Sequence, residues 1–110
     1  MKVYLATPYS HPSRYVRIKR FEAVNKVAAD LMNQDFFVFS PISHTHPIAE
    51  AGKLPLDWKF WSDYDKSFIE WADEVRVLQL AGWKESKGVI SEIKIAKSLG
   101  KPISYIGEGE

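Results

Sequence analysis

The sequence has no cysteine among its 110 residues. Disulfide bonds and thiolate metal sites are therefore excluded. It also lacks an excess of charge of either sign, because 15 Lys and Arg residues stand against 14 Asp and Glu residues, a formal net charge of +1. This near balance of basic and acidic residues gives no electrostatic reason to expect nucleic acid or an anionic membrane surface as the main partner.

Long apolar runs are absent as well. No apolar run approaches the roughly 20 residues of a membrane-spanning helix. In the opening stretch MKVYLATPYS the apolar run is far shorter than the core of a signal peptide. We therefore expect no membrane partner and a cytoplasmic location. Hydrophobic residues nevertheless make up 45% of the chain, which predicts a packed globule, with residues 1–110 forming a single domain around one core.

Short β-forming runs alternate with segments of helical periodicity. Ser13 is the predicted N-cap of the first helix and Gly100 the predicted C-cap of the third. The proline-rich stretch PISHTHPIAEAGKLPLD (residues 41–57) has no clear period and is predicted as a long loop with room for one helical turn; residues 81–88 form a second, turn-rich loop. The predicted strands are 2–6, 36–40, 73–80 and 102–106, and the predicted helices are 13–33, 55–72 and 87–99.

This alternation predicts an α/β, single-domain, Rossmann/flavodoxin-like fold of three layers. We expect a mostly parallel sheet of four to five strands in the order 2-1-3-4, with helices on both faces. Ligands of such sheets bind beyond the carboxyl ends of the strands, where the winding reverses. The loops at residues 7–10 and 82–88 are expected to meet there.

Glu92 is a carboxylate on an otherwise apolar helix stripe. It follows Val89 by three residues and precedes Ala96 by four, so the three side chains share one helix face. Charged side chains are seldom buried without a partner. Two interpretations stay open: Glu92 lies at the edge of the stripe, solvated or salt-bridged, or it points into the predicted crevice.

Ser86 and Gly88 stand where the third predicted helix begins. A helix N-terminus attracts anions through its exposed N–H groups and its dipole, a serine hydroxyl adds a donor, and glycine allows close approach to the backbone. A serine at this place is also typical of a plain N-cap, which the spacing alone favours. An anion site at the same helix start stays open.

The remaining polar candidates are weaker. Asp63 and Asp65 have the pattern of solvated helix carboxylates. His11, His44 and His46 include an H-x-H pair in a predicted loop, but no clustered carboxylates accompany it, so we expect no metal ion. Most aromatic residues are predicted to be core.

Two aromatic residues fall in the loops of the predicted crevice. Tyr9 and Trp83 could stack there on a flat ring such as a nucleobase.

The stretches VYLATPYS, DKSFIEWAD and SKGVISE, in this order, resemble the nucleoside 2-deoxyribosyltransferase-like superfamily, which includes the deoxynucleoside 5′-monophosphate N-glycosidases. More narrowly, YLATPYSH, FSPISHTHPI and LQLAGWKESKGVISEI resemble a bacterial and phage branch of small proteins related to that superfamily. The resemblance covers nearly the whole chain.

The resemblance implies cleavage of the N-glycosidic bond of a (deoxy)nucleoside or nucleoside 5′-monophosphate, by hydrolysis or base exchange, in a homodimer or higher homo-oligomer without a cofactor. Glu92 matches the nucleophile that forms a covalent glycosyl-glutamate, and Asp65 matches the aspartate that acts on the leaving base or orients the nucleophile. The expected substrate-binding residues are Tyr4, Thr7, Pro8, Tyr9, Arg14, His44, Trp83, Ser86 and Gly88.

The chain also departs from the family pattern. Its first loop, TPYSHPSR, lacks the glycine-rich, arginine-containing sequence of the phosphohydrolase-like members, although Arg14 or His11 could substitute for that arginine. The loop before Ser86 is longer by AGWKE. The base, the need for a 5′-phosphate and turnover itself therefore stay open. The alternatives are a non-catalytic nucleotide-binding module and a structural or host-interaction protein that uses its aromatic surface.

Overall fold

The computed structural model describes residues 1–55 and 57–107. Leu56 and residues 108–110 lie outside the described residues, so the predicted loop over 41–57, the predicted helix over 55–72 and the predicted domain over 1–110 are described only in part. The helices and strands are β1 Lys2–Ala6, α1 Arg14–Asn33, β2 Phe37–Phe39, α2 Pro41–Gly52, α3 Trp58–Trp71, β3 Glu74–Gln79, α4 Lys87–Ser98 and β4 Ile103–Gly107.

The four strands form one parallel sheet in the order β2-β1-β3-β4. Tyr4 in the central strand β1 is in register with Phe39 of β2 and Val75 of β3. This confirms the predicted α/β fold and strand order. No helix in the described ranges is both long enough and apolar enough to cross a membrane.

Side chains alternate across the sheet and supply two cores. On one face Tyr4 and Ala6 pack with residues of α3 and α4, including Ile69 and Val89. On the other face a second cluster packs between the sheet and α1, and its buried members are Leu5, Val24, Ala28, Leu31, Leu78 and Leu80. Burial of both faces explains the continuous apolar run of residues 3–6 in the central strand β1.

The helix caps agree closely with the sequence. Ser13 is the N-cap of α1, as predicted, and its hydroxyl accepts a hydrogen bond from the Val16 N–H at 3.4 Å. At the end of α4 the cap residue is Leu99, and Gly100 follows it with φ +69°. The predicted C-cap is therefore displaced by one residue, and glycine serves the left-handed position just beyond the cap.

The long loop predicted over residues 41–57 is wrong for its first part, because residues 41–52 form the 12-residue helix α2. Ser40 caps this helix, and Pro41 occupies its start, where a missing N–H costs nothing. Pro47 lies inside the helix, where proline is normally unfavourable. A buried helix face that includes Thr45 and Ala49 offsets that cost through tertiary packing.

Candidate functional site

A cavity of about 340 Å³ lies beyond the carboxyl ends of β1 and β3. Its volume is within the range of small-molecule sites. Thr7, Tyr9 and Ser10 line it from the loop after β1, and residues 85–88 line it from the segment that leads into α4. The two loops meet as predicted, while α2 and α3 supply the remaining walls.

Glu92 reaches this cavity from α4, although only 4% of the residue is exposed. The hydroxyl of Tyr4, which is completely buried in the sheet, donates a hydrogen bond to Glu92 Oε2. Burial raises the pKa of Glu92 well above its ordinary value, the negative charge of Asp65 raises it further, and the hydrogen bond from Tyr4 lowers it. Glu92 therefore points inward and is not a solvated residue at the edge of its stripe.

Asp65 reaches the same cavity from α3 and is 8% exposed. The interpretation of Asp65 as a solvated carboxylate is therefore wrong, whereas Asp63 is exposed. The reason is helical spacing: Asp65 lies between Trp61 and Ile69 at intervals of four residues, and all three share the inward face. Burial raises the pKa of Asp65 from 3.8 to about 7.

The two carboxyl groups titrate as a pair. Both are buried, and the charge of Asp65 acts on Glu92, so ionising both groups at once is unfavourable. The pair therefore keeps a proton near neutral pH. The hydrogen bond that Tyr4 donates favours the carboxylate form of Glu92, whereas burial and the charge of Asp65 oppose it.

Two buried oxygen atoms on the cavity wall have no hydrogen-bond partner within the described part of the chain: Thr7 Oγ1 and Asp65 Oδ1. Thr7 is only 4% exposed. Buried polar atoms are nearly always paired in proteins, with protein groups, water or ligand. Both residues also line the cavity, and a polar ligand is one kind of partner that such atoms take.

Ser86 is both an N-cap and a cavity residue. Its Oγ accepts the Val89 N–H at 3.2 Å, which confirms the cap interpretation. Ser86, Lys87 and Gly88 also line the cavity. Since Oγ is the acceptor in the cap, its own proton can still be donated to a ligand.

Tyr9 lines the cavity and is held from behind by a histidine that the sequence did not single out for this role. The Tyr9 hydroxyl is hydrogen-bonded to Nδ1 of His46, a buried residue of α2. Burial lowers the pKa of His46, and Phe21 packs against its ring at 4.4 Å between centroids. His46 therefore positions an aromatic wall of the cavity.

Several predicted substrate-binding residues lie away from the cavity wall. Tyr4 is fully buried and donates its hydroxyl to Glu92, and Pro8 is also fully buried. Arg14 is exposed, and its guanidinium binds the Glu50 carboxylate at 2.7 Å. Among the described residues, the cavity lining does not include Tyr4, Pro8, Arg14, His44 or Trp83.

His44 and Trp83 are placed by apolar packing. His44 is exposed, 6.0 Å from the ring of Phe39. Trp83 begins a short 3₁₀ turn, Trp83–Glu85, and packs against the α3 and α4 side of the sheet, 5.7 Å from the Tyr105 ring. The predicted loop position of Trp83 was correct, but burial of its large ring turns it towards the core.

The aromatic residue that does line the cavity is Trp61, which the sequence indicated only as core. Its Nε1–H donates to the carbonyl of Pro55 at 2.8 Å, which fixes the indole ring. Its position four residues before Asp65 is the signal that could have identified it. Within the described ranges, no three His, Asp or Glu side chains are grouped as a metal site requires.

A parallel sheet of order 2-1-3-4 with a ligand-sized cavity and buried carboxyl groups at its strand ends defines a Rossmann-like α/β protein with a candidate active site. Over residues 1–108 the chain matches the family described as "Domain of unknown function (DUF1937)", and it belongs to that family. A comparison with curated proteins finds no match.

A solved structure is similar over the whole chain. It is the 2-deoxyribosyltransferase of the psychrotolerant bacterium Bacillus psychrosaccharolyticus, described as a biocatalyst for the industrial synthesis of antiviral and antitumoral nucleosides. The TM-score is 0.71 and the sequence identity 27%, over 100% of this chain and 75% of that one. The chain is therefore similar in fold and sequence to a 2-deoxyribosyltransferase.

Proposed function

We propose that this protein cleaves the N-glycosidic bond of a nucleoside, with Glu92 as nucleophile and Asp65 as the acid that assists the leaving base. The observation that carries the proposal is the pair of buried carboxyl groups, from α3 and α4, on the wall of one cavity. The similarity to a 2-deoxyribosyltransferase supports the same reaction class.

The first half of the reaction uses both carboxyl groups. The bond between C1′ of the sugar and the base nitrogen breaks while a bond forms between C1′ and a Glu92 carboxylate oxygen. The transition state resembles an oxocarbenium ion, which a carboxylate stabilises and can trap covalently. The proton on the Asp65 carboxyl group passes to a ring nitrogen of the departing base, which makes the base a better leaving group.

The second half reverses these roles. A water molecule or a second base attacks C1′, the bond from C1′ to Glu92 breaks, and the proton of the attacking group returns to Asp65. Water gives a hydrolase, and a second base gives a transferase. Neither route draws on groups other than the two carboxyls, the sugar, the base and the acceptor.

The charges around the cavity favour an uncharged nucleoside over its 5′-monophosphate. Among the described lining residues the acidic side chains outnumber the one cation, Lys87, even when the buried pair keeps a proton; they are Asp57, Asp65, Glu85 and Glu92. Arg14, proposed from sequence as a phosphate ligand, is bound to Glu50 outside the lining. A phosphate dianion would therefore enter an acidic site with little compensation.

Aromatic walls suit the base of a nucleoside. Tyr9, held by His46, and Trp61, held by the carbonyl of Pro55, both line the cavity. Stacking between an aromatic side chain and a base is tolerant of base identity. We therefore expect acceptance of more than one base.

The proposal is tested by incubating the purified protein with the common ribonucleosides, deoxynucleosides and their 5′-monophosphates. Chromatography then measures the free base released from each compound. We expect free base from nucleosides and much slower release from monophosphates. Preference for monophosphates would contradict the charge argument. If every compound stayed intact but some of them shifted the melting temperature of the protein, the protein would be a nucleotide-binding module and not an enzyme.

A further inference from the structure

One side chain joins the two loops that border the cavity. Arg20, on α1, donates through Nη1 to the carbonyl oxygens of Tyr9 at 3.3 Å and Ser10 at 3.2 Å. Through Nη2 it donates to the carbonyl of Ala81 at 3.1 Å. Tyr9 and Ser10 follow β1, and Ala81 follows β3, so the guanidinium spans the ends of the two central strands.

Both loops carry cavity residues, although Arg20 is not part of the described lining. Tyr9 and Ser10 line the cavity directly, and Ala81 begins the segment that leads to Ser86 at the start of α4. The separation of the two loops therefore sets the width of the site.

The backbone beside the guanidinium requires glycine. Gly82 has φ +88°, a conformation that other residues seldom adopt, and a Cβ placed there would lie 3.1 Å from Arg20 Nη2. The chain after β3 thus closes tightly around the guanidinium. This close fit is a second observation that connects Arg20 with the loop.

We propose that Arg20 is a positioning residue that fixes the width of the cavity by holding the two loops to each other. Its planar guanidinium presents several donors in fixed directions, so it can reach carbonyls on both sides, which the single ammonium of lysine cannot do as well. The kinetic consequence of this role rests on the proposed nucleoside cleavage, whereas the effect on the loops does not.

The test compares Arg20→Met, which keeps an unbranched stem and removes the donors, with Lys19→Met as a matched control. Lys19 is the adjacent exposed cation of α1, 3.5 Å from Glu22. Hydrogen exchange by mass spectrometry should show faster exchange in residues 7–10 and 81–88 of the Arg20 variant, with residues 93–98 unchanged. The control should show neither change, and Arg20→Lys should lie between.

The affinity for 2′-deoxyadenosine gives the second readout, measured in a Glu92→Gln background so that no chemistry intervenes. If the closed loops are populated about one tenth as often, the apparent Kd rises about tenfold. In the otherwise unaltered enzyme KM should rise similarly, with a smaller change in kcat. A purely structural residue would lower Tm and the active fraction while Kd stayed constant.

Equal Kd and equal loop exchange in the Arg20→Met and Lys19→Met proteins would overturn the positioning role. Faster exchange over the whole chain would overturn it too, because Arg20 would then support the fold in general. If the unaltered protein neither binds nor cleaves nucleosides, the proposed function fails. The exchange in the two loops then decides the role of Arg20 alone.

Discussion

At the residue scale, the site depends on two carboxyl groups that are kept away from bulk water. Glu92 has the buried Tyr4 hydroxyl as its partner, whereas Asp65 Oδ1 has no partner within the described residues. A buried, unpaired carboxyl oxygen destabilises a fold. Its presence beside a cavity is typical of groups placed for binding or catalysis.

Asp65→Asn should stabilise the protein in a pH-dependent way. Because the pKa of Asp65 is about 7 in the folded protein against 3.8 ordinarily, the folded state binds this proton more tightly, and stability is lost as pH rises between these values. The gain in unfolding free energy from the substitution should grow by on the order of 2 to 3 kcal/mol between pH 5 and pH 8. Urea unfolding at the two pH values measures it.

The exposed Asp63 supplies the control for that experiment. Asp63→Asn should change the unfolding free energy by nearly the same small amount at both pH values. If the gain from Asp65→Asn were also independent of pH, the raised pKa of Asp65 would be wrong.

Tyr4→Phe removes the donor to Glu92 while it keeps the ring in the core. The hydrogen bond from Tyr4 lowers the pKa of Glu92, so its loss should raise that pKa further. Glu92 would then become a carboxylate only at higher pH, and the acidic limb of the pH–rate profile should move upward. We expect the rate at neutral pH to fall at least about tenfold.

Tyr105→Phe is the matched control, because Tyr105 is a half-exposed tyrosine on β4 that packs beside Trp83. It should leave the pH–rate profile in place. An unmoved acidic limb in the Tyr4→Phe protein would show that Tyr4 does not set the protonation of Glu92.

Single residues differ in how far sequence predicts them. Helical spacing placed Glu92 on the same face as Val89 and Ala96, but it left open whether the side chain lay at the solvated edge of that face or pointed inward. Asp65 lies on a helix whose aromatic residues were expected to be core, yet Tyr64 and Trp71 are partly exposed while Asp65 is buried. Which face of this helix points inward depends on its packing against the sheet, and local spacing does not contain that information.

At the element scale, α2 shows the limit of reading prolines as loop signals. The helix forms because Ser40 caps it and because its buried face packs inside the fold, despite Pro47 in its interior. It brings Thr45 to the cavity and His46 to Tyr9. Because this stabilisation comes from tertiary packing, the local sequence could not predict it.

The N-terminus of α4 gives a prediction that separates a cap from a ligand contact. Ser86→Ala and Ser13→Ala each remove an N-cap hydroxyl, so each should cost about 1 kcal/mol of unfolding free energy. Since only Ser86 lines the cavity, Ser86→Ala should also raise KM severalfold. Chemical denaturation and steady-state kinetics measure the two effects.

If Ser86→Ala and Ser13→Ala lost equal stability and kept equal KM, Ser86 would be a cap alone. A change in KM with Ser13→Ala would instead show that loss of any helix cap disturbs the site.

At the scale of the whole molecule, the sheet order brings the parts of the site together. Adjacent central strands β1 and β3 end at the same edge, so the loop after β1 meets the segment that leads into α4. Alternating elements and the rules of parallel sheets were sufficient to predict this arrangement. The inner lining, with Trp61 from α3 and Thr45 from α2, depends on how the helices pack and was not predicted.

The central claim is that Glu92 is the nucleophile, and base release by Glu92→Gln tests it most directly. The substitution keeps the size of the side chain, and Glu70→Gln, an exposed position on α3, controls for the loss of a carboxylate. With a nucleoside that the unaltered protein cleaves, Glu70→Gln should release base at the normal rate and Glu92→Gln about a thousandfold more slowly or not at all. Base release by a folded Glu92→Gln protein at the rate of the unaltered protein would contradict the account.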